Sequence, residues 1–123
     1  MRAVSVSVKG GALVAGLALA TEDVSERIEG WMRKDSVAAG EGILISPCAS
    51  IHTLGMRITI DVVFMDEALR ITKIASRVAP NRFAFGSLKN LLRSWRSQAL
   101  ELPAGAAAGL KPGDVLEVVE RPT

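Results

Sequence analysis

Residues 4–20 read Val4-Ser5-Val6-Ser7-Val8-Lys9-Gly10-Gly11-Ala12-Leu13-Val14-Ala15-Gly16-Leu17-Ala18-Leu19-Ala20, and the fold turns on how they are understood. Val4, Val6 and Val8 alternate with Ser5 and Ser7, the period of two expected of a half-buried strand. Gly10-Gly11 then offers the positive backbone angles of a tight turn. Leu13, Ala15, Leu17 and Leu19 continue the alternation, so a second strand and hence a β-hairpin are expected. A secretory signal is the alternative: Arg2 and Lys9 flank or precede the apolar run Gly10 to Ala20, which ends Ala18-Leu19-Ala20 before Thr21. The hairpin explains the valine–serine alternation, which a signal helix does not need. A cytoplasmic protein is therefore expected, with export as the alternative if residues 1–20 are a signal peptide.

Outward from the hairpin, Thr21 is placed to cap a helix whose apolar stripe is Val24, Ile28, Trp31 and Met32. Glu22, Asp23 and Glu26 at its start and Arg33 and Lys34 at its end match the helix dipole. Ile43 to Ile45 and Ser50 to Leu54 read as short strands. Arg57 to Met65 is the strongest strand, with Ile58, Ile60, Val62 and Phe64 on one face, and a central position is expected for it. Leu69 to Val78 should return antiparallel, with a bulge near Thr72-Lys73, because Leu69 and Ile71 share one parity and Ile74 and Val78 the other. Pro80 to Gln98 is irregular, with room for one short helical turn. Ala99 to Leu102 reads as a strand, Ala104 to Leu110 as a helical turn, Lys111 to Asp114 as a tight turn and Val115 to Val119 as the closing strand. These elements predict an α+β domain: a mostly antiparallel sheet, curled into a small barrel or open sandwich, with one amphipathic helix in the N-terminal half.

A length of 123 residues fits one domain. With 49% apolar and 23% charged residues the chain has a globular balance, and disorder is excluded. One cysteine rules out an internal disulfide, and one histidine beside it leaves too few soft ligands for a closed zinc site. No apolar run approaches the roughly 18–20 residues of a membrane-spanning helix, so no transmembrane segment is expected. The formal charge of +2 conceals segregation. Between Ala68 and Leu100 stand seven cations (Arg70, Lys73, Arg77, Arg82, Lys89, Arg93, Arg96) and no acid, whereas the rest of the chain is net acidic. Such a distribution can give one face a positive potential.

The runs Glu29-Gly30-Trp31-Met32-Arg33, Gly40-Glu41-Gly42-Ile43-Leu44, Cys48-Ala49-Ser50-Ile51-His52-Thr53-Leu54-Gly55-Met56-Arg57 and Ile60-Asp61-Val62-Val63-Phe64-Met65-Asp66 stand in a distinctive order. With Leu100-Glu101-Leu102-Pro103-Ala104-Gly105 and Gly109-Leu110-Lys111-Pro112-Gly113-Asp114 they resemble domain-of-unknown-function family 192. The resemblance covers residues 13–119. It implies a compact, mostly β domain with one early helix, and brings no established activity, cofactor or catalytic residue. Trp31 departs from the leucine usual at that place, and Phe83 to Ser97 is more basic and more helical than the customary loop. Many relatives carry a tryptophan-methionine pair in place of the histidine-centred segment, which argues against an essential role for His52.

Cys48 and His52 suggest a thiol nucleophile and its base, with Asp61 to orient the imidazole. On an extended segment, residues four apart lie roughly 13 Å from each other at ~3.3 Å per residue, so contact requires a turn between them. The plainer alternatives are an inert buried cysteine and a histidine bonded to backbone. No metal or cofactor is expected, since Cys48, His52 and Asp61 together supply only an open ligand set. Asp61 lies amid apolar neighbours and must have a partner; an ion pair with Arg57 or Arg33 is expected.

Arg82, Phe83, Phe85, Lys89, Arg93, Trp95 and Arg96 interleave cations with aromatics, the means to stack bases and neutralise phosphates. The plainer alternative is a solvated basic face whose aromatics anchor it to the core. The expected binding residues are His52, Arg57, Asp61, Arg82, Lys89, Arg93, Trp95 and Arg96. The function expected is a non-catalytic binding or accessory module with a basic face for an anionic ligand or a protein partner, as a monomer or as a homodimer built through an edge strand. The alternatives are a small enzyme using Cys48, His52 and Asp61, and a nucleic-acid-binding domain.

Overall fold

The first hairpin forms two strands of a larger sheet. A computed structural model of the chain describes residues 2–22 and 31–121. Strands β1 (Arg2–Val8) and β2 (Leu13–Thr21) pair antiparallel around a turn in which Gly10 has φ 72°. They are followed by β3 (Glu41–Ile45), β4 (Ser50–His52), β5 (Ile60–Met65), β6 (Ile71–Val78) and β7 (Phe83–Phe85). Helix α1 (Leu88–Leu92), a 3-10 turn at Ser94–Arg96, β8 (Gln98–Pro103) and β9 (Leu116–Glu120) complete the order. The stripe Val24 and Ile28 of the expected early helix lies outside the described residues. Among the described residues the fold is mostly β with little helix, in rough agreement with the α+β expectation, and no helix is long and apolar enough to cross a membrane.

Seven strands form one mixed sheet in the order β6-β5-β8-β3-β2-β1-β9, and β4 and β7 form a separate two-stranded sheet. The sheet is mostly antiparallel, as expected, with one exception: β2 and β3 run parallel, so the connection between Thr21 and Glu41 is a crossover. One expectation needs correction, because the sheet does not close into a barrel. No ladder joins its edge strands β6 and β9; the residues just before each strand meet at the isolated Arg70–Val115 bridge and the backbone bonds around it, and a bulge follows at Thr72. That bulge stands where the parity slip placed it: Phe64 faces Lys73 and Met65 faces Ile71, leaving Thr72 extra.

Burial explains the hydrophobic patterns. In β5 all six residues are buried, since Val63 and Met65 join one apolar cluster with Val4, Val6, Ala15, Ala18 and Leu100, while Ile60, Val62 and Phe64 join another with Trp31, Ile43 and Ile51. The small β4–β7 sheet covers the second face through Ile51 and Ala84. Each such side chain fully withdrawn from water contributes roughly 1.5–3 kcal/mol. β5 is nevertheless not central, lying beside the edge strand β6. In β2 the expected alternation also fails: Ala15, Ala18 and Ala20 point inward while Leu13 and Leu17 are 67% and 45% exposed. The irregular register between β1 and β2 switches the side-chain parity within β2. Residues 104–109 form successive turns and not a helix.

Candidate functional site

The chain between β6 and β8 leaves the main sheet, and polar side chains hold this excursion in place. Thr53 is fully buried; its hydroxyl donates to the Ala79 carbonyl at 2.6 Å and accepts the Arg82 N–H at 2.9 Å. Asn81, with φ 61°, accepts the Gly55 N–H through its side chain. Ser87 then caps α1 by accepting the Asn90 N–H, and Asn90 answers by accepting the Ser87 N–H, a reciprocal capping box. Asn90 is 1% exposed. Its amide donates to the Met65 carbonyl at 3.1 Å and to the Ser97 hydroxyl at 3.2 Å, and its oxygen accepts from the Thr72 hydroxyl. The bulged Thr72 thus binds the helix to the sheet. Gly86 is required by this packing, because a Cβ there would stand 2.6 Å from Asn90 Cβ.

With Asn90 turned inward, the rest of α1 turns outward. At about 100° per residue Asn90 is opposed by Leu88, Leu91 and Leu92, and these are 71%, 45% and 66% exposed. Phe83 and Phe85 flank the buried Ala84 on β7 and are themselves exposed, as is Trp95. The aromatic residues therefore do not anchor the segment; Ala84, Asn90 and Ser97 do.

The cations do not form the acid-free field that their spacing suggested. The turn after β5 brings two acids back to α1: Lys89 pairs with Asp66 at 3.4 Å and Arg93 with Glu67 at 4.0 Å. Arg70 reaches the Gly113 carbonyl instead, and the Arg77 guanidinium lies beside Gly105. Arg82 and Arg96 are exposed and make no ion pair among the described residues. Burial disfavours the charged form of Asp66, yet the N–H groups of Arg70 and Ala68 and the Lys89 ammonium outweigh it and hold the carboxyl below its ordinary value.

The cluster envisaged for catalysis is not assembled. Asp61, 2% exposed, shares its face of β5 with Val63 and Met65, whereas β4, which carries His52, packs on the opposite face through Ile51. Its carboxylate accepts three backbone N–H groups, from Arg77 at 2.8 Å, Gly105 at 3.0 Å and Ala107 at 2.9 Å. The expected ion pair is thus replaced by backbone capping, which fills the ladder where β6 is irregular at Arg77, φ 50°. Arg57 pairs instead with Asp35 at 3.3 Å. His52 accepts the Leu54 N–H through Nδ1, and its ring lies tilted against Phe83 with centroids 6.2 Å apart, so it borders the excursion. Cys48 donates to the Ser50 carbonyl. Among the described residues no group of three or more potential ligands is placed to hold a metal.

Of the expected binding residues, Arg82, Lys89, Arg93, Trp95 and Arg96 lie on the excursion and His52 beside it, while Arg57 and Asp61 belong elsewhere. The leucines and Asn90 were not anticipated. Ser87-Leu88-Lys89-Asn90 carries the one available signal, a serine three residues before an amide in front of a helical turn.

The sequence profile of the DUF192 family, described as "Uncharacterized ACR", matches residues 6–118. Two crystal structures share the fold. One, a Sinorhizobium meliloti 1021 protein whose name proposes a transcription regulator, is 22% identical with a TM-score of 0.72 over 95% of this chain and 92% of its own. The other, a Novosphingobium aromaticivorans DSM 12444 protein of unknown function, is 24% identical with a TM-score of 0.67 over 94% of this chain and 83% of its own. No curated protein matches the chain significantly.

Proposed function

The chain belongs to the DUF192 family, and we propose that it works as a non-catalytic binding module whose working surface is the excursion from Arg82 to Arg96. One observation carries this: Phe83, Phe85, Leu88, Leu91, Leu92 and Trp95 are all exposed within fifteen residues, on a segment that buried polar side chains fasten to the sheet. Single exposed leucines need no explanation, but a concentration of large apolar groups on a well-anchored segment is the usual mark of an interaction surface. Arg82 and Arg96 near its two ends supply charge for an anionic partner. An enzyme built on Cys48, His52 and Asp61 is not favoured, because the sheet separates Asp61 from the other two.

A nucleic-acid partner is the second version of this proposal. The exposed aromatics and arginines favour it, and the name of the Sinorhizobium meliloti neighbour points the same way. Titration of the 15N-labelled protein with single-stranded oligonucleotide and with anionic bicelles tests the proposal. Amide resonances of residues 82–96 should shift with at least one of the two. Shifts confined to other parts of the molecule, or none with either probe at low salt, would reject the surface.

A further inference from the structure

We propose that the partner of this surface is the headgroup layer of an anionic lipid bilayer, an inference that rests on the Arg82–Arg96 excursion being the working surface. Helix α1 is inverted relative to a core-facing helix. Its leucines occupy an arc of about 100°, and the one buried residue, Asn90, lies opposite them. The polar side of α1 therefore faces the protein, where its hydrogen bonds are satisfied, and its apolar side faces out.

The chemistry of that side selects among partners. Leu88, Leu91 and Leu92 offer no ring on which a base can stack, and they occupy the middle of the segment where an oligonucleotide would need aromatics. Leucine is also under-represented among the residues that dominate protein–protein binding. Aliphatic side chains that enter the acyl boundary, a tryptophan at headgroup depth and arginines reaching phosphates are the combination an interfacial segment uses. Trp95 at 66% exposure and Leu88 at 71% are open to solvent, as shallow insertion requires. Arg82 and Arg96, exposed near the two ends of the segment in chain order, provide the complementary charge. Asp66 and Glu67 compensate Lys89 and Arg93 on the sheet side of the helix, so attraction depends chiefly on the two arginines.

The test is co-sedimentation with vesicles of phosphatidylcholine alone or mixed with phosphatidylglycerol, read together with tryptophan emission, since Trp31 is buried and Trp95 exposed. Wild type should bind the mixed vesicles at low salt with a blue shift. Leu88→Gln/Leu92→Gln should weaken binding by about tenfold or more and abolish the shift. Arg82→Glu/Arg96→Glu should weaken binding to mixed vesicles by about tenfold, and circular dichroism should show both variants folded. Failure of wild type to bind, or binding that ignores the leucines, overturns the lipid assignment. If an oligonucleotide shifts residues 82–96 in the same protein while vesicles do not bind, the working surface stands and the lipid assignment falls; if neither probe engages it, both fall.

Discussion

Strand Ile60–Met65 and the segment Leu88–Trp95 are both rich in large apolar residues, and the fold treats them in opposite ways. In β5 every side chain is buried, apolar groups against two clusters and Asp61 against backbone N–H donors. In α1 the leucines face water and only Asn90 goes inside. Each region is organised by one buried polar residue that holds backbone: Asp61 fastens β6 and the 105–107 turn, and Asn90 fastens the helix to the end of β5. The difference lies in what surrounds that residue. Around Asp61 the apolar groups are packed into the core, whereas around Asn90 they stand exposed to water.

The largest effect is expected where this comparison is most stringent. Asp61→Ala takes the acceptor from three backbone N–H groups, the one of Ala107 buried and those of Arg77 and Gly105 partly so, and the loss should be about 3 kcal/mol in urea unfolding. Asp61→Asn retains one acceptor oxygen and should fall between wild type and alanine. A loss below about 1 kcal/mol for the alanine variant would show that the carboxylate does not hold these segments, and the likeness of the two hubs would end there.

The two regions meet at Asp66, which closes the β5–β6 turn and faces Lys89 of α1. Its folded-state pKa is depressed, so its contribution is fully present above the ordinary value of 3.8 and is lost as pH falls through the lower folded value. Asp66→Asn should therefore be less stable than wild type at neutral pH, and the gap should narrow on acidification below about pH 4. Paired urea titrations across that window check the sign. A gap that widens in acid would mean that burial, and not the N–H donors and Lys89, governs this carboxyl.

What could be read beforehand follows the same division. β5 was legible because Ile58, Ile60, Val62 and Phe64 recur with a period of two, and the Thr72 bulge because a parity slip survives in the residue order. The parallel pairing of β2 with β3 was not, since a partner chosen across a long connection leaves no local mark. The leucines of β2 misled because an irregular register reverses which parity points inward. An arginine seemed the natural mate for Asp61, yet its true partners are backbone N–H groups, which every residue carries and no pattern distinguishes. In the excursion the cations were located correctly by number but not by environment, because Asp66 and Glu67, just outside the basic stretch, fold back against it. Asn90 passed unnoticed because a lone asparagine among leucines does not announce that it will be the buried member of its helix.

The smallest expected effect is the most discriminating. Leu88→Gln/Leu92→Gln keeps helix propensity nearly unchanged and alters only side chains that are 71% and 66% exposed. Unfolding free energy should then stay within about 0.5 kcal/mol of wild type, although two large apolar groups have been removed. The comparison with β5 rests on this near-zero result. If stability falls by about 2 kcal/mol or more, the leucines pack against the protein in solution, α1 is one more element of the core, and the apolar surface does not exist. If stability holds, those side chains do nothing for the fold that carries them, and the segment is held by Asn90 through Met65, Thr72 and Ser97 and not by its leucines.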